Sequence, residues 1–134
     1  MLWASPFMRP PSRLEQEKAG DPSRVHWVAL DDDCLGYDIR NAGASPERCI
    51  EVKGSQGSEV RFFLSSNEWD VGHKLGDTYE VHFWGGISTT RPRSEEYRTL
   101  RGAGYPLVFR NLSKAIGCGE LLATPSQYLV TVRG

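Results

Sequence analysis

The chain has 134 residues, the size of one domain with a modest core. Its 16 basic and 17 acidic residues leave a net charge of −1, too little to bind nucleic acid through bulk charge alone. The 3 cysteines are an odd count without C-x-x-C spacing, which argues against a disulfide framework and a zinc ribbon and reads as small buried thiols. No apolar run is long enough to cross a bilayer, and Met1 to Pro11 lacks the apolar stretch of a secretory signal, so the expected location is cytoplasmic. The charge is unevenly placed. Residues 25–84 hold 11 acidic and 5 basic side chains, whereas residues 85–134 hold 3 acidic and 7 basic. An acidic centre beside a basic tail suits a metal site flanked by phosphate-binding arms. The plainer reading, ordinary surface charges that happen to segregate, is favoured, because a nucleic-acid binder is usually more basic overall.

In chain order, residues 1–11 read as a flexible lead-in, with Pro10-Pro11 blocking a helix. Ser12 has the position of a cap for a short helix through Ala19, with Glu15 at the capping-box position. Gly20-Asp21-Pro22 stops it. Val25 to Leu30 reads as a buried strand, Asp31-Asp32-Asp33 as a turn, and Gly36 to Arg40 as a second strand. Asn41 to Glu47 is a hairpin loop and Arg48 to Lys53 a third strand. Ser65 and Glu68 have capping-box spacing, which predicts a helix from Ser66 to Leu75 with Trp69, and Val71 or His73, toward the sheet. Thr78 to Trp84 alternates and is rich in strand formers. Beyond Gly85-Gly86 the signal weakens. Ser88 to Arg101 reads as a polar, basic loop, Tyr105 to Phe109 as a short strand, Asn111 to Ile116 as a helical turn, and Tyr128 to Val132 as a final strand.

The most informative pair of segments is Gly36-Tyr37-Asp38-Ile39-Arg40 and Ile50-Glu51-Val52-Lys53-Gly54. Side chains alternate along a strand, so Ile50 and Val52 share one face and Glu51 and Lys53 the other. Tyr37 and Ile39 likewise lie opposite Asp38. Paired strands would put two carboxylates and an ammonium on one face. Two such carboxylates can hold a magnesium or manganese ion, and the lysine can steady a nearby negative charge. Glu-Val-Lys alone reads as a solvated strand ladder with Asp38 capping a turn; it is Gly-Tyr-Asp-Ile upstream that turns the reading toward a site.

These segments resemble the PD-(D/E)XK nuclease superfamily, in which an aspartate on one strand and a D/E-x-K on the next build a phosphodiester-cutting metal site. The likeness extends to Val25-His26-Trp27-Val28, Asp31-Asp32-Asp33, Gly36-Tyr37-Asp38-Ile39, Arg48-Cys49-Ile50-Glu51-Val52-Lys53-Gly54, Phe62 to Trp69, and Gly76-Asp77-Thr78-Tyr79. In that order these blocks resemble the NO VEIN C-terminal domain family, a group of largely uncharacterised function placed near restriction endonucleases. The resemblance implies an α/β fold with a restriction-endonuclease-like core over residues 12–84, an α-β-β-β-α-β mixed sheet flanked by helices. Residues 85–134 would be a C-terminal extension packed on the same single domain.

It further implies Asp38 and Glu51 as ligands of Mg2+ or Mn2+, with the Val52 carbonyl as a third, and Lys53 as the assisting cation. The expected activity is metal-dependent hydrolysis of DNA in a defence or repair setting, with an ATPase, helicase or methyltransferase as partner. The alternative is a nuclease-fold module without turnover that binds nucleic acid or protein. Related nucleases often add a glutamate from the helix before the first strand. Here Glu15 and Glu17 are the glutamates available, and both read as surface charges of a short helix.

Asn67 at the start of the predicted helix, and Arg91 and Arg93 in the basic stretch, are the candidate substrate contacts. Arg98 and Arg101 flank Tyr97 nearby. Asp31 to Asp33 reads as a solvated turn before a second ion site. His26, His73 and His82 lack metal-ligand spacing; His26 and His82 read as ordinary sheet residues and His73 as lying on the helix surface.

Overall fold

A computed structural model describes residues 10–28, 35–126 and 131–132. Five strands form one mixed sheet in the spatial order of the sequence: β1 (Val25–Trp27), β2 (Ile39–Asn41), β3 (Arg48–Gly54), β4 (Tyr79–Trp84) and β5 (Leu107–Arg110). The β1–β2, β2–β3 and β4–β5 pairs are antiparallel, and β3–β4 is parallel. Helix α1 (Pro10–Lys18) precedes the sheet and α2 (Ser66–Leu75) makes the crossover between the parallel strands. Helix α3 (Arg93–Gly102) lies between β4 and β5, and α4 (Leu112–Gly117) follows β5. The protein is therefore mixed α/β, a five-stranded mixed sheet flanked by helices.

The helices divide between the two faces. Leu14 of α1 and Leu100 of α3 pack in one buried cluster with Ile39, Ile50, Val52 and Trp84. On the other face, α2 presents Gly72 to the Tyr79 ring and to Leu112 of α4. A Cβ at Gly72 would stand 3.0 Å from both neighbours, so the absent side chain is what lets α2 lie flat there. In the register, Cys49, Glu51 and Lys53 align with Tyr79, Val81 and Phe83 and share this α2 face.

Helix α2 spans the predicted residues because its start is chemically specified. Ser65 Oγ accepts from the Glu68 N–H at 3.1 Å, and Glu68 Oε1 accepts from the Ser65 N–H at 2.9 Å. Of the residues expected to face the sheet, Val71 turns inward, together with Gly72; Trp69 does not, being exposed with its ring 4.4 Å from that of His73, which is also exposed.

Other expectations are corrected. Helix α1 begins at Pro10, not after the prolines. A proline in the first turn loses only an N–H that has no intrahelical partner, so Pro10-Pro11 starts this helix rather than blocking it. Ser12 lies inside it and is buried. Strand β2 begins at Ile39, because Gly36 turns the chain with φ +81°. The basic stretch after Gly86 is largely helix α3, held by buried Leu100 and Glu96. Cys49 is a buried thiol, whereas Cys118 is exposed. The Asp31-Asp32-Asp33 turn, Cys34, residues 1–9 and most of Tyr128 to Val132 lie outside the described residues. No helix among the described residues is long and apolar enough to cross a membrane.

Candidate functional site

Asp38 is placed by backbone contacts at the mouth of β2. Its N–H donates to the Ile50 carbonyl at 2.8 Å, and its Oδ2 accepts from the Val52 N–H at 2.8 Å. The chain just upstream is fixed by Tyr79, whose hydroxyl donates to the Gly36 carbonyl at 2.9 Å. Gly36 is required here. Its φ lies in the left-handed region, and a Cβ would meet Val71 at 2.8 Å.

This brings the Asp38 carboxyl close enough to that of Glu51 for each to bear on the other's proton affinity. Glu51 is 3% exposed. Burial, and then the Asp38 charge, push its carboxyl up to about 9, and Lys53 offsets only part of this. Burial also raises Asp38, against the opposing pull of the Val52 N–H. Lys53 Nζ lies 3.3 Å from Glu51 Oε2 and 3.0 Å from Glu68 Oε1. Burial alone would lower the ammonium, but Glu51 and Glu68 outweigh it and hold it above the usual lysine value.

The sequence-predicted trio of Asp38, Glu51 and Lys53 is thus one cluster, with Val52 joined to it through its amide. Glu68, read from sequence as a helix cap, is a fourth member. Its spacing gave the cap but not the reach to a strand residue 15 positions earlier.

Arg91 and Arg93 do not join this cluster. Asn67 is exposed in the first turn of α2. Arg91 is tied to Glu96 of α3 through Nη1–Oε2 at 2.9 Å, and Arg93 is exposed at the start of α3.

The expected surface role of Glu15 is overturned. It is 0% exposed and faces the opposite side of the sheet. Arg48 Nη1 and Nη2 donate to its two oxygens at 2.7 and 3.1 Å, and Asn41 Nδ2 donates at 3.2 Å. The same guanidinium donates from Nε and Nη2 to Glu80 at 2.8 and 2.7 Å, and His82 Nε2 lies 2.9 Å from Glu80. Although burial disfavours its charge, Arg48 and His82 hold the Glu80 carboxyl well below the usual range. Glu17 is exposed on the far side of α1 with Arg13 and Tyr97. Neither glutamate of α1 is partnered with Asp38.

Two neighbouring hard-oxygen carboxylates, that of Glu51 protonated near neutral pH, form a donor set that a divalent cation would fit by displacing the proton. Among the described residues, no group of three or more His, Cys, Asp or Glu side chains is arranged to hold a metal ion, so the candidate is a pair.

The fold and this cluster define a mixed α/β domain carrying a carboxylate pair, half-buried Asp38 just before β2 and buried Glu51 on β3, with its own ammonium. Residues 12–90 match the family model described as "Protein NO VEIN, C-terminal". That is more than half of the chain, and the protein belongs to this family. No curated protein and no solved structure matches it.

Proposed function

We propose that this domain is a magnesium- or manganese-dependent nuclease acting on DNA, with Asp38 and Glu51 as ion ligands and Lys53 as the assisting cation. The gathering of Asp38, held by the Val52 N–H at 2.8 Å, beside Glu51, with Lys53 Nζ 3.3 Å from Glu51, carries the reading. The observed order of helix, three strands, helix and strand through residue 84 is also that of a restriction-endonuclease-like core. Residues 12–84 would be the catalytic unit, with residues 85–134 packed on it through β5, which extends the same sheet. A bound ion would polarise the phosphate and acidify a water.

The chain's own residues set the conditions for that chemistry. The Val52 N–H holds Asp38 in one orientation, and the Val52 carbonyl is the proposed third ligand. Burial keeps the Glu51 carboxyl dry, which strengthens its pull on any cation. Lys53 is positioned by Glu68 to offset negative charge on the phosphate. Arg91 and Arg93 lie outside the cluster and, with Asn67, would contact the DNA backbone away from the reacting phosphate. An ATPase, helicase or methyltransferase would deliver the substrate in a defence or repair assembly.

A second reading, a module that binds without cutting, is favoured by one observation. Both glutamates of α1 are committed elsewhere, Glu15 to Arg48 and Glu17 to Arg13, so the helix before β1 supplies no acid. The deciding experiment is cleavage of plasmid and single-stranded DNA with magnesium, then manganese, beside Asp38→Asn. Metal-dependent cutting that disappears in the variant is the expected result. Equal cutting by both proteins would overturn the assignment, and a folded parent that neither cuts nor binds an ion in calorimetry leaves the binding module.

A further inference from the structure

On the sheet face opposite the carboxylate pair, α1 and α3 face each other across a cleft of about 500 Å³. Four cations line it, Arg13 and Lys18 from α1 and Arg98 and Arg101 from α3, against one carboxylate, Glu17. In a chain with a net charge of −1 this is a concentrated local excess of positive charge. Glu17 is already engaged, accepting from Arg13 Nε at 3.1 Å and from the Tyr97 hydroxyl. The Arg13 guanidinium also lies 4.1 Å from the Tyr97 ring centre, which fixes its direction. Arg101 uses Nη1 on the Tyr105 carbonyl and keeps its remaining donors. Among the described residues, Lys18 and Arg98 have neither an ion pair nor a hydrogen bond from the side chain.

Four exposed cations drawn from two helices repel one another, and an anion between them removes that cost. Three of the four are guanidiniums, whose planar forks match pairs of phosphate oxygens. Of the lining residues Leu14 is turned into the core, and apart from the Tyr97 ring the others are all charged. All four cations are exposed, so an occupant can extend beyond the cleft on either side.

We infer that the α1–α3 cleft is a seat for backbone phosphates of a nucleic-acid strand, separate from the carboxylate pair. It does not depend on the nuclease reading, because it uses none of those residues and needs no metal. The test is fluorescence anisotropy of a labelled oligonucleotide with the full chain, in EDTA, across a range of salt. The variants are Lys18→Glu with Arg98→Glu, and Lys74→Glu with Lys114→Glu as a charge-matched control at exposed positions on α2 and α4.

The double variant is expected to bind at least about tenfold more weakly, with a salt slope smaller by about 2 because two cations are lost. The Lys74→Glu with Lys114→Glu control should bind like the parent. The inference is overturned if the parent binds no oligonucleotide, or if the control loses as much affinity as the cleft variant. It is equally overturned if polyglutamate displaces the oligonucleotide at matched charge, since the cleft would then read acidic side chains. Both cleft positions are solvent-exposed, and unchanged circular dichroism confirms that any loss is in binding.

Discussion

Replacing Glu51 with glutamine should stabilise the metal-free protein at alkaline pH while removing its response to metal. The ordinary carboxyl value is 4.5, and in the folded chain it rises to about 9. Because the folded value is raised, the folded state holds a proton that the unfolded chain releases. The associated stability is complete below 4.5 and is lost as the pH climbs toward 9. Each pH unit inside that window removes about 1.4 kcal/mol, so moving from about pH 5 to about pH 8 costs the parent up to about 4 kcal/mol.

Glutamine keeps the shape and has no proton to lose, so the variant escapes the Glu51 part of this loss and keeps only that of Asp38, which burial also raises and which both proteins share. Glu80 shifts in the opposite direction, and its contribution changes only below the ordinary carboxylate value, outside the window. The assay is urea unfolding in EDTA at both pH values for parent and variant. The expected result is a parent that weakens with pH by about 2–4 kcal/mol more than the variant. Parallel pH dependences would refute the buried proton. Magnesium should then restore the parent at the higher pH but not the variant. Calorimetry in two buffers of different ionisation enthalpy should report about one proton released per ion bound near pH 7.

Arg48→Met should cost about 3–5 kcal/mol in urea unfolding, because it strands Glu15 and Glu80 without their shared cation; a loss below about 1 kcal/mol would show that water reaches both carboxylates. Tyr79→Phe removes the donor to the Gly36 carbonyl and should cost about 1–3 kcal/mol. It should also weaken metal affinity, since the turn that presents Asp38 loses its tether; unchanged affinity in calorimetry would separate the turn from the site.

What could be read from sequence was chemistry that acts locally. The Ser65–Glu68 box specifies its own helix start, and alternation along β3 separates Ile50 and Val52 from Glu51 and Lys53. What could not be read depends on residues far apart in the chain. Glu15 gives no local sign of being buried, because its partner Arg48 lies 33 positions away and becomes adjacent only when α1 crosses the sheet. Helix α3 reads as a loop because Leu100 supplies its one buried aliphatic anchor, too little for a visible period. Pro10-Pro11 misled for the opposite reason: the residue that breaks a helix interior is well suited to its first turn.

Glu68 Oε1 receives two donors, the Ser65 N–H and the Lys53 ammonium. The first belongs to the helix and the second to the cluster. If the ammonium swings toward an arriving phosphate, the backbone donor stays and α2 keeps its cap. Lys53 therefore has a resting berth that it can leave without loosening the element that provides it. A charge can move within a rigid frame, and no helix or strand has to shift to release it.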